Sequence, residues 1–108
     1  MKDAIMQHLE AAIGGSFLVR NEGAFVASML VTYKFAGKEF SISHDFAVGQ
    51  SRSVEVPAGA VDIHLIVKEA VFFHTWSTIF SKSFDQPVTK CYKVWGTTLN
   101  PKYEEIKC

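Results

Sequence analysis

The chain has 108 residues, enough for one domain and too few for two. Apolar residues make up 48% of it, which supplies a core without metals or a disulfide framework. Eleven Lys and Arg balance eleven Asp and Glu, and that balance excludes a general nucleic-acid binder and adhesion driven mainly by anionic lipid, since both need a basic face.

No run approaches the roughly 18 apolar residues that span a bilayer. Asp3, His8 and Glu10 interrupt the N-terminal apolar positions and only Lys2 is basic, so this end does not read as a signal peptide. An intracellular chain, one exported by another route and one given without its leader all fit, and the localisation stays open.

Residues 1–14 are predicted to form a short helix. Ile5, Leu9 and Ile13 recur at a spacing of four, with Met6 and Ala12 beside them, and Gly14 and Gly15 end the pattern. An edge-packed helix is the favoured reading, because the polar face lacks the Lys and Arg of a membrane-surface helix.

After Gly23 the period becomes two. Phe25, Ala27, Met29, Val31, Tyr33 and Phe35 alternate with Val26, Ser28, Leu30, Thr32 and Lys34, so a long strand with its odd face buried is expected. Ala36-Gly37-Lys38 turns the chain into a second strand through Phe40, Ile42, His44, Phe46 and Val48. Gly49-Gln50-Ser51 turns it again. Val54 and Val56 mark a third strand ending at Pro57-Ala58-Gly59, and Val61, Ile63, Leu65 and Val67 a fourth.

Residues 69–87 break the pattern: Val71, Phe72, Phe73 and Trp76 crowd together without a clean period. Val88, Tyr92 and Val94 then open a strand that runs to Trp95-Gly96. A tip over residues 97–101 leads into a last strand from Tyr103 to Ile106. Short strands with regular turn signals point to an all-β, antiparallel β-sandwich with a short N-terminal helix. The expected division is a helical extension over residues 1–21 and a sandwich domain over 22–108.

Trp95-Gly96-Thr97-Thr98-Leu99, followed by Pro101, resembles the sterol-sensing tip of the cholesterol-dependent (thiol-activated) cytolysins, which carries Trp-Gly-Thr-Thr-Leu-x-Pro. Gly23-Ala24-Phe25-Val26-Ala27 resembles the stretch that opens the first long strand of that family's C-terminal domain. Pro57-Ala58-Gly59-Ala60 with Ile63 resembles the segment before the family's tryptophan-rich loop. The resemblance covers about residues 22–108. It implies a four-plus-four-stranded sandwich whose loops at one end touch cholesterol-containing membranes. It implies that Thr98 and Leu99 are the sterol recognition pair, and that Ala24 and the turn at Val48 and Gly49 belong to neighbouring tip loops.

One stretch departs from the family. Its undecapeptide Glu-Cys-Thr-Gly-Leu-Ala-Trp-Glu-Trp-Trp-Arg is matched here by residues 69–77, two residues shorter. Ala70 replaces the signature Cys, Trp76 is the one tryptophan left, and Ser77 stands where the closing Arg would be. In the family that Arg couples membrane contact to pore assembly, and the pore-forming segments lie in other domains. The resemblance therefore implies recognition without a pore.

The physics of the residues fits a binding module. A sterol presents one hydroxyl and a large apolar body, which suits an apolar Leu99 beside the Thr98 hydroxyl. Without the family context the same residues read as an ordinary polar hairpin end. Phe72, Phe73 and Trp76 read equally as a membrane-interface cluster or as core filling. A hairpin turning at Leu99 and Asn100 sets Cys91 opposite Cys108, within reach of a disulfide. Two free thiols fit a reducing compartment, and both readings stay open.

His8, His44, His64 and His74 lack metal-ligand spacing, and His44, on the apolar face of its strand, reads as a core histidine. No zinc, phosphate-loop, dinucleotide or nucleophile-elbow motif occurs, so no enzyme and no cofactor are expected. The expected partner is a sterol-containing membrane, with a cell-surface glycan or protein receptor as the alternative, and no nucleic acid. Self-association into a homo-oligomer is expected, because one copy carries few membrane-contacting side chains.

Overall fold

The structure, a computed structural model, describes residues 12–72 and 74–108. Eight strands follow in chain order: β1 (Ile13–Asn21), β2 (Ala27–Phe35), β3 (Lys38–Phe46), β4 (Ser51–Pro57), β5 (Val61–Phe72), β6 (Thr75–Phe84), β7 (Thr89–Thr97) and β8 (Asn100–Ile106). They form two four-stranded sheets, β4-β1-β7-β8 and β3-β2-β5-β6. The architecture is the four-plus-four sandwich that the resemblance implies.

The period-two pattern decides the inside. Ala27, Met29, Val31 and Tyr33 are buried on β2, and Ile63, Leu65 and Val67 on β5. The facing sheet contributes Phe17, Val19, Val54, Val56, Tyr92 and Val94. Alternation places these side chains on one face of each strand, so closing the two sheets removes them from water together. Aromatic pairs finish the packing, with Phe80 against Tyr92 (centroids 4.9 Å apart) and Tyr33 stacked on Phe40 (5.4 Å).

Several expectations are corrected. Most of the helix expected over residues 1–14 lies outside the described residues, and its last two positions, Ile13 and Gly14, open strand β1. That strand sits between β4 and β7, so residues 13–21 are built into the sandwich rather than set apart as an extension. Phe17, Val19 and Asn21 point inward at a period of two, a run too short to stand out beside the helical stripe before it. The sandwich is also not purely antiparallel, because β1 pairs with β7 in parallel.

The irregular stretch over 69–87 is a hairpin. β5 runs on to Phe72, and β6 returns from Thr75. β6 is an edge strand with only Phe80 buried, and bulges at Val67/Lys68 and Ala70/Phe72 interrupt its register with β5, which is why no period shows. β8 begins at Asn100, earlier than expected, and the tip is a two-residue turn at Thr98 and Leu99. His44 is half-buried on the edge strand β3 and is not part of the core cluster.

Candidate functional site

Strand direction gathers four connections at one end. Antiparallel pairing of β2 with β3 and β5 sets Ala27 beside Phe46 and Glu69. The pairing of β1 with β4 and β7 sets Arg20 beside Ser51 and Lys93. The β1–β2 loop (22–26), the β3–β4 loop (47–50), the β5–β6 hairpin and the β7–β8 tip therefore share this end. The other turns lie at the opposite end.

Asn21 fastens these connections. It is fully buried at the end of β1. Its Nδ2 donates to the carbonyls of Phe25 (2.8 Å) and Phe46 (3.2 Å), and its Oδ1 accepts from the Gly23 N–H (2.9 Å). Its backbone N–H donates to Gln50 O (2.9 Å), and its carbonyl accepts from the Gly49 N–H (2.7 Å). Through its side chain and its backbone, this one residue ties two loops and the ends of two strands. Sequence reasoning passed over it, since an Asn between Arg20 and Glu22 reads as an exposed turn residue.

The tip is held from the same side. The Glu22 N–H donates to Val94 O (2.8 Å) and the Ala24 N–H to Gly96 O (3.0 Å), extending the parallel ladder beyond β1. Gly96 has φ +96°, and a Cβ there would lie 2.4 Å from the Asn100 carbonyl oxygen. Only glycine lets the two strands approach so closely with that backbone.

What this end presents is apolar. Among the described residues eight large apolar side chains are exposed. Five of them, Val26, Val48, Phe72, Trp76 and Leu99, are here, and Leu99 is the most exposed of all at 86%. β5 overruns its last pairing with β2 by three residues, so Phe72 stands about 10 Å beyond the β2 end. Phe72 and Trp76 point outward, at 74% and 42% exposure, so neither fills the core. Phe73 lies outside the described residues. Ala24 and Val48 are both exposed on their loops, and Thr98 is half-buried. Val26 was not expected to contribute.

Glu69 lies at the root of the hairpin. It is buried, and its Oε1 has no hydrogen-bond partner. Burial pushes its carboxyl above the usual carboxylate range. At the far end of β7, Cys91 and Cys108 are joined by a disulfide with Cα atoms 5.3 Å apart. Its register differs from the expected one: Cys91 pairs with Ile106, and Cys108 reaches back from just beyond β8. Among the described residues no group of three or more His, Cys, Asp or Glu is gathered to hold a metal.

The chain is thus a two-sheet sandwich with an apolar end whose loops are tied by hydrogen bonds. The profile of the thiol-activated cytolysin beta sandwich domain matches residues 16–102, and the chain belongs to that family of non-enzymatic β-sandwich modules. The fold is similar to the membrane-binding domain of pneumolysin, with a TM-score of 0.66 and 21% identity over 88% of this chain and 97% of that domain. It is also similar to suilysin from Streptococcus suis (TM-score 0.65, 21% identity, 86% of this chain) and to listeriolysin O (TM-score 0.61, 20% identity, 87% of this chain). The chain spans 23% of the suilysin chain and 22% of the listeriolysin O chain. Among curated proteins, no sequence is similar enough to count as a match.

Proposed function

We propose that the loop end binds sterol-containing membranes, with Leu99 and Thr98 meeting the sterol and Phe72, Trp76, Val48 and Val26 entering the interface around them. The observation that carries this reading is the gathering of five of the eight exposed large apolar side chains at one end. An apolar cluster held on a rigid frame is costly in water and unneeded for the core, so it is best explained by a surface that covers it. Phe73 is assigned to the same role from its sequence position next to Phe72. Ala24 is the small residue that lets the neighbouring loop approach the tip.

The energetics limit one copy. Burying each such side chain contributes roughly 1.5–3 kcal/mol, and association costs an estimated 4–15 kcal/mol. A monomer therefore binds weakly, and a homo-oligomer or surface cluster gains its hold through linked sites. The pore-forming step of a cytolysin is not assigned to this domain. Sedimentation on vesicles with and without cholesterol, alongside the Thr98→Gly/Leu99→Gly variant, tests the reading. Cholesterol-dependent binding lost in the variant supports it, and binding unchanged in the variant sinks the assignment of the tip.

A further inference from the structure

The proposed membrane contact uses the exposed apolar side chains and leaves the charged ones just behind them without a role. Asp45, Ser28 and Lys68 stand side by side on β3, β2 and β5, because Ser28 is paired with Asp45 on one side and Lys68 on the other. Neighbouring strands lie about 4.8 Å apart, so the backbones that carry the carboxylate and the ammonium are roughly 10 Å apart. Among the described residues neither charge has an ion-pair partner, whereas Arg20, Lys34, Lys90 and Lys93 each have one.

A cavity of about 260 Å³ opens among these three residues on the outer face of the sheet. Leu30 and Ile66, a directly paired and half-buried couple, give it an apolar lining. Ser43 adds a second hydroxyl, and Trp76, opposite Ala70, bounds the cavity on the side of the loops. An antiparallel sheet face commonly turns polar residues to water. An exposed indole, an aliphatic couple and two opposite charges held apart are more than that requires.

We propose that this cavity binds the zwitterionic head group of a choline phospholipid. A quaternary ammonium carries its charge under a skin of methyl groups. The indole face of Trp76 attracts such a cation, the Asp45 carboxylate neutralises it, and Leu30 and Ile66 take up the methyl surface. The phosphate meets the Lys68 ammonium and the hydroxyls of Ser28 and Ser43 through charge-assisted hydrogen bonds. One cation and one anion in the cavity match a ligand with one of each, and a purely anionic head group is opposed by Asp45.

The inference rests on the proposed function, which sets this end against the bilayer. Trp76 pairs two residues behind Phe72, so its indole stands about 7 Å above the level of Phe72, at the depth where Trp meets head groups. The Asp45–Ser28–Lys68 row follows about 13 Å above Phe72. One head group does not overcome the association cost that limits a single copy, so this site adds to the sterol contact and does not replace it.

The test reads the site with and without a bilayer. Soluble phosphocholine is titrated into isotope-labelled protein and followed by nuclear magnetic resonance. The Ser28, Asp45 and Lys68 amides and the Trp76 indole N–H should shift and saturate in the millimolar range. Phosphoethanolamine, which lacks the methyl groups, should bind about fivefold more weakly, and glycerol phosphate should give no saturable shift. On vesicles of phosphatidylcholine and cholesterol, Asp45→Lys should bind about fivefold more weakly than the parent. Its ratio of binding with and without cholesterol should stay that of the parent. Lys68→Gln, on a neighbouring strand, serves as a second variant should Asp45→Lys melt early. The Thr98→Gly/Leu99→Gly variant should lose the cholesterol response and keep the phosphocholine shifts, which separates failure of this site from failure of the tip. No saturable shift with phosphocholine overturns the proposal, as do shifts that both charge variants leave unchanged. Phosphocholine binding with no loss of vesicle binding in either variant overturns the assignment to a lipid.

Discussion

The backbone N–H of Ala24 donates to the carbonyl of Gly96 across 3.0 Å, joining the β1–β2 loop to the strand that carries Thr98 and Leu99. This bond continues the parallel β1–β7 ladder past the end of β1. The exposed Leu99 is thus presented by a tip braced on two sides, by β8 and by a neighbouring loop. A braced apolar side chain loses little conformational freedom on binding, which is the sense in which the site is preorganised.

Gly96→Ala tests that bracing. The substitution puts a Cβ against Asn100 O and forces a left-handed φ on a residue that disfavours it. We expect a stability loss of about 1–3 kcal/mol, read by urea denaturation. A variant as stable as the parent contradicts the described geometry at Gly96.

Asn21→Ala removes two donated bonds and one accepted bond at a fully buried position. Unsatisfied buried partners cost about 1–3 kcal/mol each, so a loss of about 3 kcal/mol or more is expected. Hydrogen exchange should quicken first at Gly23, whose N–H bonds to the Asn21 side chain.

Glu69 makes stability depend on pH. Its carboxyl titrates above the usual range because it is buried, so the folded state holds its proton to a higher pH than the unfolded chain does. The stability this contributes is fully present below the unfolded carboxyl's pKa and is lost as pH rises through the folded one. Melting temperature should fall over that window, and Glu69→Gln should flatten the slope there. A parent and variant with the same slope overturn the assignment.

The Cys91–Cys108 bridge closes a loop of 17 residues. In the loop-entropy account this stabilises by about 3 kcal/mol. Cys108→Ser should lower stability by that order in oxidising buffer and match the parent once dithiothreitol is added. Equal stability of parent and variant in oxidising buffer contradicts the bridge.

The sandwich was legible where one face is apolar and turns are marked, as in β2 and β3 about Ala36-Gly37. It was illegible in β6, whose edge position leaves Thr75, Trp76, Ser77 and Thr78 exposed with no alternation to read. β1 was hidden because its inward positions are Gly15, Phe17, Val19 and the polar Asn21, only two of them large and apolar, after a run spaced like a helix. At the tip, Thr98 and Leu99 could be named from a local motif. Asn21 could not, because its role depends on Phe46, 25 residues away. The bridge was misregistered for a similar reason: placing the turn one residue late set Cys91 against Cys108, where the ladder sets it against Ile106.

The most direct test of the account is flotation of the purified protein on phosphatidylcholine vesicles with and without cholesterol, for the parent and for Leu99→Ala. Leu99 is 86% exposed, so its removal should leave the melting temperature unchanged. Its burial in a membrane is worth roughly 1.5–3 kcal/mol, so binding should weaken about tenfold or more. Cholesterol-dependent flotation that Leu99→Ala reduces by that factor is the predicted result. Flotation independent of cholesterol, or identical in parent and variant, would contradict the claim that this end of the sandwich recognises sterol.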